Sequence, residues 1–355
     1  MYDIRQLTDM DAAFDFYHTY SAATAHEMDQ QYELLDGGMP PALRLMPVDR
    51  RIIDFWFAGD NRVTFGAYAG EKLVGIASGA VVPERKAGFL SYVCVAHDHR
   101  RLGIATDLCD ALEAALSARP EVEKLEAVFY NPVQLPWYIP NGKGDYHPCL
   151  PGVDKASGLY LFLKNRGWRD YATQNCYYRR MADYADKPTI AATRERLLSE
   201  GIELTLYDPE KHHGLPELFD NINNPGWKAH VLARLDLPIV VAVDLNAGGL
   251  VVGYTGPLSV TGTPGRGNFC GIGVRTEYRG RGIGKPVFCE MCARHKGGGA
   301  DFMSLYTGED NPARNIYESA GFRIVRSFAD MRKVCSGCAD RQKRLEEAGS
   351  GVHQK

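Results

Sequence analysis

Short apolar runs alternate with helix-like stretches along the chain, and their order is the same in each half. Runs of four to ten residues rich in β-branched and aromatic side chains predict strands, and longer stretches with apolar spacing of three or four predict helices. The strands predicted before the central turn of each half are residues 63–68, 73–82 and 89–95, and residues 239–243, 250–258 and 268–274. The pattern predicts an α/β protein, of the α+β type, with two similar halves.

The two halves carry an internal repeat. A glycine-containing turn follows the third strand of each series and precedes a helical stretch that reaches residue 116 or 294. Four pairs of positions around these turns are each separated by 179 residues: Val95 and Val274, Arg100 and Arg279, Gly103 and Gly282, and Ala105 and Gly284. Because the flanking strand and helix recur as well, the similarity indicates duplication of a unit.

The remaining elements set the expected boundaries. Polar residues with a proline at 182–188 separate the halves, and residues 189–199 predict a joining helix. We expect a first domain over 1–181, a linker helix within 182–200, a second domain over 201–334 and a polar tail over 335–355. Further helices are predicted over 9–25, from 208 toward 222 and over 227–234, and a strand pair after Trp168.

Composition describes an ordinary globular protein. The 355 residues are 45% hydrophobic and 24% charged, with a net charge of -3 and a pI near 6.4. Such a balance argues against a nucleic-acid binder or an anionic-membrane binder. The N-terminus lacks a signal-peptide pattern and no apolar run is long enough to cross a bilayer, so a cytoplasmic protein with reduced cysteines is expected.

The turn at residues 279–285 has the properties of a phosphate-binding loop. Glycine permits close approach of the backbone to an anion, and the N-terminus of the following helix offers unpaired N–H groups and a partial positive charge. A P-loop is excluded because Gly280 is too close to Gly284 and Pro286 follows Lys285. A dinucleotide fingerprint is excluded because its third glycine is missing.

A second stretch completes the pattern. Residues 311–322 read Asn-Pro-Ala-Arg-Asn-Ile-Tyr-Glu-Ser-Ala-Gly-Phe. Together with Arg-x-x-Gly-x-Gly at 279–284, this stretch resembles the GNAT superfamily of N-acetyltransferases. The resemblance covers nearly the whole chain as two tandem copies, in a layout similar to mycothiol synthase and other double-domain acetyltransferases. It implies two domains, each with a mixed, mostly antiparallel, twisted sheet flanked by helices.

The resemblance also implies a function. It indicates an acetyl-CoA-dependent N-acetyltransferase that moves an acetyl group to a primary amine by direct transfer in a ternary complex. The alternative is a non-catalytic acyl-CoA-binding sensor or scaffold. The acceptor, a small-molecule amine or a peptide amine, is left open, as is the choice between a monomer and a homodimer.

The same resemblance assigns the cofactor-binding residues. In the second half they are Ile272, Gly273, Val274, Arg279, Gly280, Arg281, Gly282, Ile283, Gly284, Lys285, Asn311 and Asn315. In the first half they are Val95, Arg100, Arg101, Gly103, Ile104 and Ala105. A backbone N–H near Gly273 or Val274 is expected to polarise the thioester carbonyl.

Tyr317 is the candidate general acid for the departing thiolate, by its place in the motif. The alternative is an aromatic ring packed over the cofactor. Asn311 precedes a proline and is favoured as a helix cap rather than as a catalytic group. A general base is also needed, because an amine of ordinary pKa is protonated at neutral pH; Glu277, Glu309, Asp220 and His230 stay open.

The first half is less complete. Aligning Trp168 with Phe322 places Leu163 at the position of Tyr317 and Leu161 at that of Asn315, and about 25 additional residues lie between the motifs. This long irregular loop, about 130–157, contains Trp137, Tyr138, Tyr146, His147 and Asp154. It walls an acceptor site or forms a rigid cover over the core; the sequence does not decide between them.

Two Cys-x-x-Cys pairs, at 289 and 292 and at 335 and 338, raise the possibility of structural zinc. The first pair lies on a predicted core-facing helix and the second begins a polar tail. No metal site is therefore predicted.

Overall fold

A computed structural model describes residues 1–28, 42–128, 131–140 and 142–335. The chain forms two compact units, one of Met1–Asn175 with Arg326–Lys355 and one of Cys176–Val325. The helices, labelled in chain order, are α1 (Met10–Tyr20), α2 (Arg50–Phe57), α3 (Ile104–Ser117), α4 (Gly158–Asn165), α5 (Pro188–Ser199), α6 (Leu215–Asn221), α7 (Pro225–Leu232), α8 (Gly284–Gly297) and α9 (Arg314–Ser319).

Most strands of the first unit belong to one mixed sheet, and β6 and β7 pair separately. The two long strands β9 and β17 each have residues in both units. In chain order the strands are β1 (Asp3–Gln6), β2 (Arg62–Ala69), β3 (Lys72–Val82), β4 (Ala87–Val95), β5 (Lys124–Ala127), β6 (Trp137–Tyr138), β7 (Tyr146–His147), β8 (Val153–Asp154), β9 (Arg169–Arg180), β10 (Ile202–Leu206), β11 (Val240–Asp244), β12 (Leu250–Thr255), β13 (Ser259–Thr261), β14 (Arg266–Asn268), β15 (Ile272–Val274), β16 (Phe302–Gly308) and β17 (Arg323–Val334).

In the first unit, β1 to β4 pair antiparallel in sequence order and β5 pairs parallel with β4. The C-terminal part of β17 then pairs antiparallel with β5. Helix α3 covers one face of this sheet with Leu108, Leu112 and Leu116, all fully or almost fully buried. Gly79 of β3 permits this close packing, because a Cβ there would lie 2.9 Å from Leu116 Cδ1.

In the second unit, β10, β11, β12 and β15 form an antiparallel sheet buried on both faces. Alternate residues of a strand face opposite sides. Val240 and Ala242 accordingly pack with the residues of α8, whereas Val241 and Val243 pack with those of α6 and α7. A second set of strands pairs β13 with β14 antiparallel and β14 with β16 parallel.

Most predicted elements are present, and the mixed sheets with flanking helices confirm the predicted fold class. Three predictions were wrong. The predicted strand 268–274 is divided between β14 and β15, because Gly271 has a φ of +72° and Trp227 lies where its Cβ would be. Trp168 is followed by one strand, β9, and not by a strand pair.

The third wrong prediction is the helix start at residue 208. Asp208 accepts a hydrogen bond from the Glu210 N–H at 3.0 Å, and its own N–H donates to His212 Nδ1. Such local bonds offer the backbone an alternative to helix, so α6 begins only at Leu215.

The compact units also differ from the predicted domain boundaries, since residues 326–335 associate with the first unit. The predicted domains, as independent folding units, stay a prediction. Within the described residues, no helix is both long and apolar enough to cross a membrane.

Candidate functional site

The phosphate-type loop of the second unit lies between β15 and α8. Gly280 and Gly282 both have a φ of +81°, the left-handed region that glycine adopts without steric cost. A Cβ added at Gly280 would have no atom within 4 Å. The side chain of Lys285 is exposed on the first turn of α8. The turn thus has free space beside Gly280, close to the start of α8, and a helix start is favourable for a diphosphate.

Arg279 secures the turn against the preceding strand. Its Nε donates to the carbonyl oxygen of Val274 at 3.2 Å. In the first unit, Arg100 Nε donates to the carbonyl oxygen of Val95 at 3.0 Å. The repeat seen in the sequence is thus repeated in hydrogen bonding.

The other predicted loop residues are placed as the motif requires. Ile283 is buried below the turn and Gly284 is the first residue of α8, whereas Arg281 is partly exposed. In the first unit, Ile104 is the buried first residue of α3, and the residues around it are exposed or half-exposed: Arg100, Arg101, Gly103 and Ala105.

A strand edge is left open next to the second loop. β14 pairs with β16 only at Arg266 and Gly267, and the chain then continues into β15, which is the last strand of the other sheet. In an antiparallel pair, hydrogen-bonded and non-bonded positions alternate. The Arg275 N–H donates to Val252 O, so Gly273 is the next bonded position and the amide groups of Ile272 and Val274 point to the open edge.

This geometry distinguishes the two residues named from the sequence. The bond from Arg279 to the Val274 carbonyl agrees with an outward direction for that peptide. Val274, rather than Gly273, therefore carries the N–H that can reach a ligand at this edge.

Tyr317 lies on α9 with its ring almost completely buried. The ring centroid is 5.0 Å from that of Phe288 and 5.9 Å from that of Tyr177. Burial, followed by the nearby Tyr177, raises the pKa of Tyr317 to about 12, which keeps the hydroxyl protonated at neutral pH. That hydroxyl forms no hydrogen bond within the part of the chain that the structure describes.

The two asparagines of the motif differ in their roles. Asn311 Oδ1 accepts a hydrogen bond from the Ala313 N–H at 3.0 Å, which is a turn-forming contact before α9. Asn315 is exposed on the helix itself. The predicted cap role of Asn311 was wrong: the cap position of α9 is Ala313 and the helix begins at Arg314, so Asn311 closes a turn two residues before the cap.

Two of the four candidate bases are already engaged. Asp220 pairs with Lys228 at 2.6 Å, and Glu277 accepts a hydrogen bond from Asn221 at 3.0 Å. A backbone hydrogen bond, and then contacts with Thr276 and Asn221, hold the pKa of Glu277 below its usual value. Glu309 and His230 are exposed. The geometry selects none of them.

The first unit contains a cavity of about 780 Å³. β4 and β5 pair at residues 87–89 and then separate, and residues 90–94 of β4 line the cavity opposite Ala127 and Val128. Residues 150–159, from the end of the irregular loop, form a further wall. Part of the loop thus walls a cavity within this unit, and its predicted role at an acceptor site stays a prediction.

The cover interpretation also has support within the same loop. Trp137 is fully buried and packs edge-on against Phe328 at 5.4 Å. Asp154 forms a buried ion pair with Arg326 at 2.6 Å. The loop is therefore partly core and partly cavity wall.

Sequence reasoning missed several residues of this cavity. Asn131 donates to the Leu90 carbonyl at 2.9 Å and accepts from Ser91 Oγ at 2.8 Å, so its side-chain amide occupies the edge of β4 where the strands separate. Arg326 also lines the cavity although it lies far away in sequence. Neither residue belongs to a motif, and no sequence signal pointed to them.

The position equivalent to Tyr317 is closed in the first unit. Leu163 is fully buried in the core of that unit, and Leu161 is exposed. At that position, the first unit offers neither a proton donor nor a polar contact.

The cysteine pairs show no metal-site geometry in the described residues. Cys289 and Cys292 are buried on α8, and burial raises the pKa of both thiols. Within 1–28, 42–128, 131–140 and 142–335, no three His, Cys, Asp or Glu side chains are grouped to hold an ion. Cys338 lies outside the described residues.

Comparison with known proteins agrees with this geometry. The acetyltransferase (GNAT) family model matches residues 28–138, and the acetyltransferase (GNAT) domain model matches residues 236–324. A mycothiol acetyltransferase of Corynebacterium aurimucosum is 41% identical over 64 residues, which are 18% of this chain. The match spans about a fifth (21%) of that relative's length.

Three solved structures share the fold at low identity. A glucosamine N-acetyltransferase region of a fungal multi-domain beta-N-acetylglucosaminidase has a TM-score of 0.62 and 18% identity, over 94% of this chain and 38% of that chain. A GCN5-related N-acetyltransferase of Sphaerobacter thermophilus has a TM-score of 0.55 and 15% identity, over 94% and 96%. A tandem GNAT protein from the clavulanic acid biosynthesis pathway has a TM-score of 0.53 and 16% identity, over 95% and 99%.

Each matched segment contains the repeated strand and the loop that follows it, and the second segment also contains Tyr317. The chain therefore belongs to the GNAT family of acetyltransferases and carries two GNAT domains in tandem.

Proposed function

We propose that this protein is an acetyl-CoA-dependent N-acetyltransferase whose reacting centre lies in the second unit. It transfers the acetyl group directly to a primary amine in a ternary complex. The observation that carries the proposal is the combination, in one unit, of a glycine turn at the start of α8, an open edge on β15 and a protonated tyrosine on α9.

Each of these elements has a chemical task. The N–H groups at the start of α8, with Arg281 and Lys285, bind the pyrophosphate. The open edge of β15 pairs with the pantetheine amides, and the Val274 N–H polarises the thioester carbonyl. A hydrogen bond aimed at the developing oxyanion stabilises the transition state more than the ground state.

The bond changes balance without a covalent enzyme intermediate. The neutral amine attacks the thioester carbon, so a C–N bond forms and the C–S bond breaks. Tyr317 donates its proton to the departing thiolate, and the amine proton leaves to a base or to solvent. The Tyr317 hydroxyl is protonated at neutral pH, so its proton is present for this donation.

The acceptor is a small-molecule or peptide amine. Glucosamine enters the first panel because one structurally similar protein is named a glucosamine N-acetyltransferase region. Amino acids, a polyamine, an aminoglycoside and a lysine peptide complete the panel.

The test combines binding with initial-rate kinetics. Calorimetry should show acetyl-CoA binding, and a thiol-release assay should show release that depends on one amine of the panel. Double-reciprocal plots at several amine concentrations should intersect, as a ternary complex requires. Parallel lines would point to a covalent intermediate and would contradict direct transfer, and an absence of acetyl-CoA binding would end the proposal.

A non-catalytic acyl-CoA-binding protein is the second candidate. It is favoured by the first unit, which keeps the loop and a large cavity but has Leu163 at the acid position. Binding of acetyl-CoA with no thiol release across the whole panel would support this candidate.

A further inference from the structure

Arg196 of α5 lies directly on the phosphate-type loop of the second unit, although it belongs to no motif. Its Nη2 donates to the carbonyl oxygen of Arg281 at 2.8 Å. The same nitrogen is 3.3 Å from the position that a Cβ on Gly282 would occupy. The linker helix therefore adds a guanidinium to the turn from outside the repeated unit of sequence.

This arginine already shares an anion with the loop. Glu200 accepts hydrogen bonds from both Arg196 and Arg281, the latter at 3.2 Å. These two bonds, that from Arg196 first, hold the pKa of Glu200 below its usual value, so the carboxylate is charged at neutral pH. Two guanidinium groups thus converge on one carboxylate beside the turn.

The pair is accessible enough to exchange that carboxylate for another anion. The side chains are 47% exposed for Arg196, 37% for Arg281 and 35% for Glu200. Ion pairs with this exposure contribute little to stability, because water and salt screen them. A pyrophosphate bridge is the stronger partner for two arginines, since it carries a negative charge on each of its two phosphates and its oxygens accept charge-assisted bonds from both arginines.

The first unit has a different group at the same place. Tyr2 Oη is 3.2 Å from the position of a Cβ on Gly103, and it donates to Asp107 at 2.7 Å and to the Leu102 carbonyl at 3.3 Å. The residue that covers the equivalent glycine is therefore a neutral phenol bonded to a carboxylate. Over this glycine the second unit has a cation where the first unit has a neutral phenol.

We propose that Arg196 is a pyrophosphate-binding residue of the second unit and acts together with Arg281. The pyrophosphate displaces the Glu200 carboxylate from these two arginines. The ligand class is an acyl-CoA or another diphosphate-bearing thioester carrier. This inference rests on the proposed function and adds to it a binding residue that the motifs do not contain.

The test measures calorimetric affinities of CoA, dephospho-CoA and pantetheine for wild type and for Arg196→Ala. We expect the variant to weaken CoA and dephospho-CoA equally, by about fivefold to tenfold, and to leave pantetheine unchanged. The slope of log affinity against log salt should decrease. Arg196→Lys should restore part of the loss, and Glu200→Gln should strengthen CoA binding by removing the competing carboxylate.

Arg194→Ala is the matched control. Arg194 lies on the same helix but pairs with Asp186 at 2.7 Å and with Glu290 at 3.1 Å. Its removal should leave the three affinities unchanged, and thermal unfolding verifies that each variant is folded. If calorimetry of the wild type detects two CoA sites, Arg196→Ala should weaken one of them. The unchanged site then serves as an internal reference.

The possible results separate the inference from the proposed function. Equal CoA affinity in wild type and Arg196→Ala overturns the inference alone. A loss for CoA without a loss for dephospho-CoA assigns the contact to the 3′-phosphate and also overturns it, as does an equal loss for pantetheine. Failure of the wild type to bind any CoA species overturns the proposed function.

Discussion

The two phosphate-type loops share a backbone but differ in the side chains around it. Both hold the turn with an arginine that donates to the carbonyl five residues earlier, at 3.0 Å in the first unit and 3.2 Å in the second. Around the first loop lie a phenol and the carboxylate of Asp107; around the second lie Arg196 and Lys285. The turn is held in the same way in both units, whereas the side chains that lie over Gly103 and Gly282 differ in charge.

The two units also differ at the position of the candidate proton donor. The first unit has separated strands and a cavity of about 780 Å³, but Leu163 fills the acid position with a core side chain. The second unit has Tyr317 at that position, with its pKa raised to about 12 by burial. The first unit therefore has a cavity but a leucine at the motif position, whereas the second unit has a tyrosine hydroxyl there.

The largest effect is expected from Tyr317→Phe. Removing a positioned general acid should lower kcat by about a hundredfold, within the usual range for such groups. The KM for acetyl-CoA should change little, because the ring still packs against Phe288. Steady-state kinetics with the best acceptor of the panel measures both constants.

Tyr177→Phe is the matched control for Tyr317. Its ring lies 5.9 Å from that of Tyr317, but its hydroxyl donates to Glu318 at 3.0 Å. Its kcat should stay within about twofold of wild type, because no catalytic proton is removed. Unchanged kcat in Tyr317→Phe would assign that ring to packing and would remove the main difference between the units.

A smaller effect concerns stability at acidic pH. Burial lowers the pKa of His295 on α8 to about 4, whereas the equivalent position of α3 is Leu116. The unfolded chain binds a proton below about pH 6.5, and the folded chain binds one only near pH 4. Stability is therefore retained above pH 6.5 and is lost as the pH falls toward 4, by up to about 3 kcal/mol.

Urea unfolding at pH 7.5 and pH 5 measures this loss. His295→Ala should reduce the difference between the two pH values, whereas replacement of the exposed His230 should not. An equal pH dependence in wild type and His295→Ala would show that His295 is not the group responsible.

The smallest effect compares the turns themselves. Arg101 has a φ of +64° at the position where the second unit has Gly280 at +81°. A non-glycine residue in this region costs about 1 kcal/mol, so Gly280→Arg should destabilise the second unit by about that amount. No atom lies within 4 Å of the Gly280 Cβ direction, so backbone strain alone is tested.

Arg101→Gly is the reciprocal change and should stabilise the first unit by up to about 1 kcal/mol. Chemical denaturation without ligand measures both variants. A destabilised Arg101→Gly variant would mean that the arginine side chain contributes more than its backbone costs.

Much of the fold was predictable because it depends on local pattern. The apolar spacing of Leu108, Leu112 and Ala115 predicted α3, and in the structure the two leucines cover the sheet together with Leu116. Asp9 begins the predicted helix 9–25, and in the structure its side chain accepts hydrogen bonds from the first turn and sets where α1 begins, as Asp49 does for α2. Errors occurred where a distant contact overrides the pattern, as when Trp227 packs on Gly271 and divides a predicted strand.

The candidate site was predictable only where a motif names it. Tyr317 and the glycines of the second loop follow from the sequence. The preference for Val274 over Gly273 required the strand register, since bonded and non-bonded positions alternate along the pair. Arg196 required the packing of α5 on the loop, which no spacing in the sequence expresses.

The sequence by itself determined the family, the duplication and the identity of the loop, because these depend on residue types at short separations. Tertiary structure decided which amides face the open edge, which cation covers the loop and where the long irregular segment forms a cavity wall. The physical reason is that these features depend on contacts between residues far apart in the chain. Arg196 and Arg281, or Asn131 and Leu90, meet only after the strands and helices have packed.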